Sequence, residues 1–400
     1  MNFATSLFCR GFQLALRAAS PLLPYRDPLI LNTVDEIPAC LKEKKIQRVL
    51  IVTDGFLHLS GILDPLKKTL SDNGIHYEIY DEVTPNPTIL NVELARERYL
   101  QRNCQALIGF GGGSPIDCAK AVGARIARPR LSIPKMKGIL KILRPIPYLI
   151  AVPTTAGTGS ETTPTTVITD HNTCHKFPIS DFPLIPKAAV LDPEMTRNLP
   201  PHLTATTGMD ALTHAIEAYI GRSTNADTRH SALSAVKMIA ENLETAYNDG
   251  NNMTARANML QAAYLAGNAF SKSYVGYCHA VAHSLGGQYH IPHGLANAVL
   301  LPYVLEAYGA SVYQKCRDIA LAMNLVQTDT SDEEATHRLI AEIRRMNAAM
   351  NIPTKLPGIR NEDIPTLAFY AHKEANPLYP GPQLMDAAEL EQFYYDVMED

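Results

Sequence analysis

Two segments hold the residues whose types and spacing could do chemistry. The first reads His279-Ala-Val-Ala-His283-Ser-Leu-Gly-Gly-Gln-Tyr-His290-Ile-Pro-His293-Gly. Imidazoles crowded beside glycines and a proline suggest a metal held at the end of a helix. The second reads Gly208-Met-Asp210-Ala-Leu-Thr-His214-Ala-Ile-Glu217. It offers a carboxylate and an imidazole four residues apart, which share one helical face. Asp210, His214, His279 and His293 together would make a four-ligand nitrogen and oxygen site. No thiolate is needed, so a divalent transition metal fits better than calcium or magnesium. Against this stands the ordinary fate of a lone histidine on an apolar helix, which is more often packed than ligating.

A second kind of chemistry is suggested by Phe110-Gly111-Gly-Gly-Ser114-Pro115-Ile-Asp117, which follows an apolar strand and opens a helix. Glycines let a backbone approach a phosphate, and a helix N-terminus presents free N–H groups and a positive dipole end. The spacing is not GxGxxG, so the usual dinucleotide fingerprint is missing, and on its own such a turn is as often structural. Asp54 ends the first clear strand. A carboxylate there can accept from a ribose hydroxyl and would repel a 2′-phosphate, or it can simply cap the next helix. Pro153-Thr154-Thr155-Ala-Gly-Thr158-Gly-Ser160-Glu161 follows another strand and offers hydroxyls and glycines, either as a polar wall or as a loop capping the next helix.

The elements that must position these residues fall into two styles. Before residue 194, short apolar runs at 48–53, 76–80, 106–110 and 148–152 alternate with helical stretches such as 62–73 and 90–103, and Ala188–Leu191 suggests one more strand. That alternation predicts a parallel sheet covered on both faces. Beyond it, helical periodicity dominates, at 208–220, 225–247, 253–272, 278–286, 295–308, 310–323 and 332–349. Residues 376–382 read as a loop before a last helix. The expected fold is an α/β, Rossmann-like nucleotide-binding domain over 1–194, with an extension at 1–44, and an all-α metal-binding domain over 195–400.

With 400 residues, two domains are the prior. A net charge of −4 gives no global reason to bind nucleic acid or an anionic membrane. Seven scattered cysteines without a CxxC argue against a disulfide framework and for a reducing, cytoplasmic setting. No run of 18 apolar residues predicts a spanning helix. The first 26 residues are apolar and carry Arg10, Arg17 and Arg26 without an acid, so a targeting peptide competes there with a helix packed on the domain.

The four motifs, Gly111 to Asp117, Pro153 to Glu161, Gly208 to Glu217 and His279 to Gly294, stand in an order and register that resembles the iron-containing (group III) alcohol dehydrogenases over roughly residues 45–310. The resemblance implies NAD(H) as hydride carrier, with the aspartate at Asp54 favouring NAD over NADP. It implies pyrophosphate binding by Gly112, Gly113 and Ser114, and cofactor contacts from Asn86, Asp117, Thr154, Thr155, Thr158 and Lys176. It implies a divalent metal, Fe2+ foremost with Zn2+ also suited, on Asp210, His214, His279 and His293. His283 matches the non-ligand histidine and becomes the candidate proton carrier; His290 matches nothing.

The implied reaction is hydride transfer between NAD(H) and a small alcohol or aldehyde, in a homodimer. Related glycerol-dehydrogenase-like and dehydroquinate-synthase-like enzymes are the alternative. The former use one histidine ligand fewer. The latter need basic residues for phosphate-bearing substrates, and none cluster around His279–His293. Tyr264, Phe270, Tyr274, Tyr277 and Cys278 could line the substrate space, or pack in the core.

Overall fold

The computed structural model describes residues 1–170 and 175–399, so Cys174 lies outside the described residues. The chain divides into two compact units, Pro24–Leu199 and a second made of Met1–Leu23 with Pro200–Asp400.

The first unit is built on a sheet of six parallel strands. They are β1 (Leu29–Leu31), β2 (Arg48–Val52), β3 (His76–Tyr80), β4 (Ala106–Gly111), β6 (Tyr148–Pro153) and β9 (Ala188–Val190), ordered β1-β9-β6-β4-β2-β3. Strand side chains alternate between faces, and each face has its own core. Leu50, Val52, Leu107 and Leu149 pack with Cys118, Ala119 and Val122 of helix α6 (Gly113–Ala127) and Val92 and Ala95 of α5 (Ile89–Gln101). Val49, Ile51, Ile108 and Ile150 pack on the opposite side with Ile37 and Leu41 of α2 (Ile37–Glu43) and Leu66 and Leu70 of α4 (Asp64–Asp72). Every residue of β4 is buried, which explains its unbroken apolar run. Helix α3 (Gly55–Leu59) follows β2.

A smaller sheet was not expected from the sequence. It is made of β5 (Gly138–Ile139), β7 (Thr165–Asp170) and β8 (His175–Ser180), with β7 antiparallel to β8 and β5 parallel to it. In β7 the adjacent Val167 and Ile168 sit between threonines at 165, 166 and 169, so polarity does not follow its alternation of burial.

The second unit is helical: α7 (Pro201–Ile220), α8 (Ala226–Asn248), α9 (Met253–Ser273), α10 (Tyr277–Tyr289), α11 (His293–Tyr308), α12 (Tyr313–Ala322), α13 (Asp332–Ala349), α14 (Ile364–Ala375) and α15 (Ala387–Val397). Helix α7 is buried without a break from Gly208 to Ile220. Helix α11 comes so near α7 that a Cβ on Gly294 would lie 2.4 Å from the Thr206 carbonyl oxygen. No helix among the described residues is long and apolar enough to cross a membrane.

The N-terminus corrects the expected domain division. Residues 1–23 belong with the helical unit, not with the sheet. Helix α1 (Phe3–Ala19) buries Cys9 and Gln13. Arg10 donates from Nη1 to the Gly381 carbonyl at 2.8 Å and from Nη2 to Pro382 at 2.9 Å, while Gln13 Nε2 donates to the carbonyls of Pro377 and Tyr379. The terminal amine meets Asp386 at 2.7 Å. A proline-rich loop with carbonyls outside any helix or strand ladder needs donors, and Arg10 with Gln13 supplies four. The second division point falls at Leu199/Pro200 rather than 194/195, because the single turn Pro193–Thr196 stays with the sheet: Asp192 caps it and also accepts from Val34 N.

Removing the charged donors should free this helix. Arg10→Ala is expected to loosen its docking by about 1–3 kcal/mol, read as faster hydrogen exchange over residues 3–19 and a lower melting temperature. Unchanged exchange there would show that the arginine does not hold the helix.

Candidate active site

In the helical unit, one group of side chains has the make-up of a metal centre. Asp210, His214, His279 and His293 each offer one donor atom, and these atoms all lie within 4.8 Å of one another. Asp210 and His214 stand one turn apart on α7, His279 lies in the first turn of α10, and His293 opens α11 after Pro292. The Asp210 Oδ1 is 3.6 Å from His293 Nε2 and 3.9 Å from His279 Nε2. The His214 ring stacks on His279 at 4.4 Å and, on its other side, on Phe270 at 4.2 Å.

The donor set passes a physical test for a bound cation. His279 Nε2 is buried and has no hydrogen-bond partner in the protein. An unsatisfied buried nitrogen costs about 1–3 kcal/mol, so its retention calls for a ligand. Its other nitrogen is tightly held: Nδ1 lies 2.5 Å from Glu217 Oε2. Glu217 also accepts from Gly276 N at 2.8 Å and Cys278 N at 2.9 Å. A side chain at residue 276 would collide with this carboxylate, since a Cβ there would lie 2.6 Å from Oε1. Burial drives His279 down to about 4 and Glu217 up to about 7. Burial thus favours the neutral imidazole, and the Glu217 oxygen beside Nδ1 favours the tautomer that carries its proton there and leaves a lone pair on Nε2.

Two neighbours brace the ligands. Asn297 Nδ2 donates to Asp210 Oδ1 at 2.7 Å and lies 3.2 Å from His293 Nε2. Neither it nor Glu217 stands among the expected site residues. Glu217 sits three residues past His214 in a quoted motif, a signal that it shares the ligand face; Asn297, one turn after His293, carries the same signal. His283 is close but engaged elsewhere. Its ring stacks on His293 at 4.9 Å, and Nδ1 lies 2.6 Å from Glu374 Oε1, which also accepts from Tyr379 OH. Burial raises the Glu374 carboxyl, but the His283 charge and these hydrogen bonds outweigh it, and the net shift is downward. Of the suggested lining residues, Tyr264, Tyr277 and Cys278 are buried, and the Phe270 ring stacks on His214. His290 ends α10 in a left-handed conformation.

The sheet unit places Asp54, the glycine loop and the threonine loop after the carboxyl ends of β2, β4 and β6, with Asn86 beyond β3 and Lys176 on β8. Gly111, at φ 146°, turns the chain out of β4, and Gly112 caps α6 without a side-chain hydrogen bond. A Cβ on Gly112 would lie 3.3 Å from the Thr155 methyl, and one on Gly113 would lie 3.0 Å from that of Thr158. The two threonines thus stand over the glycine loop. Thr155 Oγ1 is buried with no partner, as a hydroxyl awaiting a ligand would be. Thr154 N donates to Gly111 O at 3.0 Å, which extends the pairing of β6 with β4 into the two loops. Asn86 N donates to Ser114 Oγ, and Lys176 Nζ donates to Asn86 Oδ1 at 2.7 Å, which joins three expected residues in one chain of contacts.

Two residues show additional duties. Asp54 caps α3, accepting from Leu57 N at 2.9 Å. Asp117 has both carboxylate oxygens engaged, by Ser160 Oγ at 2.6 Å and Val167 N at 2.8 Å, so its side chain braces the threonine loop. Lys120, to which no local sequence pattern points, is fully buried and donates to Thr163 O, Thr163 Oγ1 and Thr165 O. Burial lowers it to about 8 and raises neighbouring Glu161 to about 7.

Comparison with known proteins places this geometry. Residues 31–193 match the iron-containing alcohol dehydrogenase family, and residues 204–398 match the C-terminal part of the Fe-containing alcohol dehydrogenase family. Alcohol dehydrogenase 4 of Saccharomyces cerevisiae (strain YJM789) is 39% identical over 346 residues, covering 86% of this chain and 89% of its own. The 1,3-propanediol dehydrogenase of Klebsiella pneumoniae is 39% identical over 360 residues, covering 89% and 92%. The NAD-dependent methanol dehydrogenase of Bacillus methanolicus is 36% identical over 345 residues, covering 86% and 90%. A crystal structure of 1,3-propanediol oxidoreductase superposes with a TM-score of 0.89 at 36% identity, covering 93% of this chain and 99% of that one. The chain belongs to the iron-containing alcohol dehydrogenase family and is an NAD-dependent alcohol oxidoreductase.

Proposed function

We propose that the chain interconverts a small primary alcohol or diol and its aldehyde, with one Fe2+ on Asp210, His214, His279 and His293 and NAD(H) on the glycine loop. The observation that carries this reading is His279 Nε2, buried and unpartnered within a four-residue donor set while Glu217 holds the other face of the ring. Zn2+ suits the same donors, and ligand type alone does not choose.

When bound, the ion supplies Lewis acidity toward an alcohol or carbonyl oxygen, and the nicotinamide supplies the carbon that exchanges hydride. The chain's own residues do the rest. Glu217 keeps the proton of His279 on Nδ1. Asn297 orients the Asp210 carboxylate. His283, anchored through Nδ1 by Glu374, keeps Nε2 to exchange a proton with the substrate oxygen. Gly112, Gly113 and Ser114 would present the first turn of α6 to the pyrophosphate, with Thr154, Thr155 and Thr158 beside it. Asn86 and Lys176 would face the ribose. Asp117 acts at one remove, by holding Ser160 and β7 in place. Asp54 selects NAD by repelling a 2′-phosphate, in addition to capping α3.

The six described cysteines are unpaired and buried, which supports a reducing, cytoplasmic setting. A homodimer belongs to the reading through family membership alone.

Four variants test it. His279→Ala and Asp210→Ala are expected to abolish bound metal and nearly all turnover, measured by metal analysis of anaerobically purified protein and an NADH assay; full turnover in metal-free protein would end the proposal. Glu217→Gln should keep the fold but weaken metal binding about 10- to 100-fold, and an unchanged affinity would remove Glu217 from the centre. Asp54→Gly should narrow the gap between NAD and NADP, and an unaltered preference would leave Asp54 as a cap only.

A further inference from the structure

The helical unit carries a second cluster of charge that the dehydrogenase reaction does not use. A depression of about 540 Å³ is lined by Arg17, Arg222, Arg229 and Lys315, with Thr224 and Ser311 beside them. Four cations around one hollow are unexpected on a chain whose net charge is −4. Acidic partners do not explain them. Neither Arg222 nor Arg229 has a carboxylate within ion-pair distance among the described residues. The acid nearest Lys315, Asp318, accepts from Tyr219 OH at 2.6 Å.

Part of the cluster has a plain structural duty. Lys315 Nζ donates to the carbonyls of Tyr219, Ile220 and Gly221, and so caps the negative end of α7. Arg17 Nη1 donates weakly to the Arg222 carbonyl at 3.3 Å. What remains without a partner is the pair of guanidinium groups on Arg222 and Arg229, together with most of that of Arg17. Burial, and next the charges of Arg229, Arg222 and Arg17, push Lys315 down to about 8. The cations therefore act on one another.

Planar guanidinium forks match the oxygens of a phosphate in bidentate fashion, and such charge-assisted hydrogen bonds are the strong ones. We propose that this depression binds a phosphate group, with Arg222 and Arg229 as its principal donors and Arg17 and Lys315 supplying further positive charge. The volume leaves room for an organic portion attached to that group. A soluble phosphate monoester and a phospholipid headgroup present the same chemistry. The lipid source is worth an arm of its own, because Phe3, Leu7 and Leu14 stand exposed on the helix that carries Arg17.

The test uses full-length protein saturated with metal and NAD, at an ionic strength held constant with chloride. Inorganic phosphate and glycerol 3-phosphate are titrated calorimetrically, and flotation is measured with phosphatidylcholine vesicles with and without phosphatidylglycerol. The expected result is saturable binding at one site per chain, to the soluble phosphates or to the anionic vesicles alone. Arg222→Gln/Arg229→Gln should weaken it about tenfold or more, while alcohol oxidation and the circular dichroism spectrum stay as in the parent. Heat from the soluble phosphates identifies a metabolite site, and flotation without such heat identifies a headgroup site. Should the double variant fold poorly, Arg17→Gln and Arg229→Lys separately are expected to give partial losses. Absence of saturable binding in both arms, or binding equal in parent and variants, would overturn the proposal.

Discussion

The hydrogen bond between Glu217 and His279 is the contact on which the centre depends. A carboxylate buried without partners is strongly unfavourable. Here three donors meet it, from Gly276 N, Cys278 N and the His279 ring. Two of them are backbone groups at the start of α10, so the same carboxylate that orients the imidazole also ties the N-terminus of α10 to α7. Helix geometry supplies the rest. Residues 210, 214 and 217 recur at i, i+4 and i+7 on α7, which puts a ligand, a second ligand and the anchor of a third on one face. Small residues then let other backbones close in, at Gly276 beside Glu217 and at Gly294 beside Thr206.

The sheet unit solves a different problem with similar economy of parts. A glycine loop of the kind proposed here to hold a pyrophosphate must be rigid without side chains of its own. Gly112 and Gly113 are instead walled by the methyls of Thr155 and Thr158. The threonine loop is in turn fixed by Asp117 through Ser160 and by Lys120 through Thr163. Both braces come from α6, the helix that the glycine loop opens. Buried polar side chains placed this way are costly unless fully satisfied, and Lys120 makes three hydrogen bonds in its buried setting.

Much of this was legible in the residues. Ligand spacing on α7 and around α10 is local, and a repeat of 3.6 exposes it directly. Strands β4, β6 and, past Arg48, β2 read as apolar runs because both faces of a parallel sheet are covered. What escaped depends on partners distant in sequence. Glu217 and His279 are separated by 62 positions, and His283 and Glu374 by 91, and no local pattern announces either pairing. The docking of α1 rests on Arg10 reaching carbonyls 371 and 372 positions away. Strand β1 has three residues, too short for periodicity to register, and in β7 polarity does not follow the alternation of burial. Helix α14 lies where no apolar repeat drew attention, although Glu374 on it holds the proposed proton carrier.

The central claim is that one cation is gripped by Asp210, His214, His279 and His293. Anomalous diffraction at the iron edge, on crystals of protein purified without oxygen, tests it most directly. The account predicts a single strong peak at about 2.0–2.2 Å from one Asp210 oxygen and one nitrogen of each of the three histidines, with His279 bound through Nε2 and His283 standing off. A peak coordinated by His283, or His279 turned so that Nε2 faces Glu217, would contradict it.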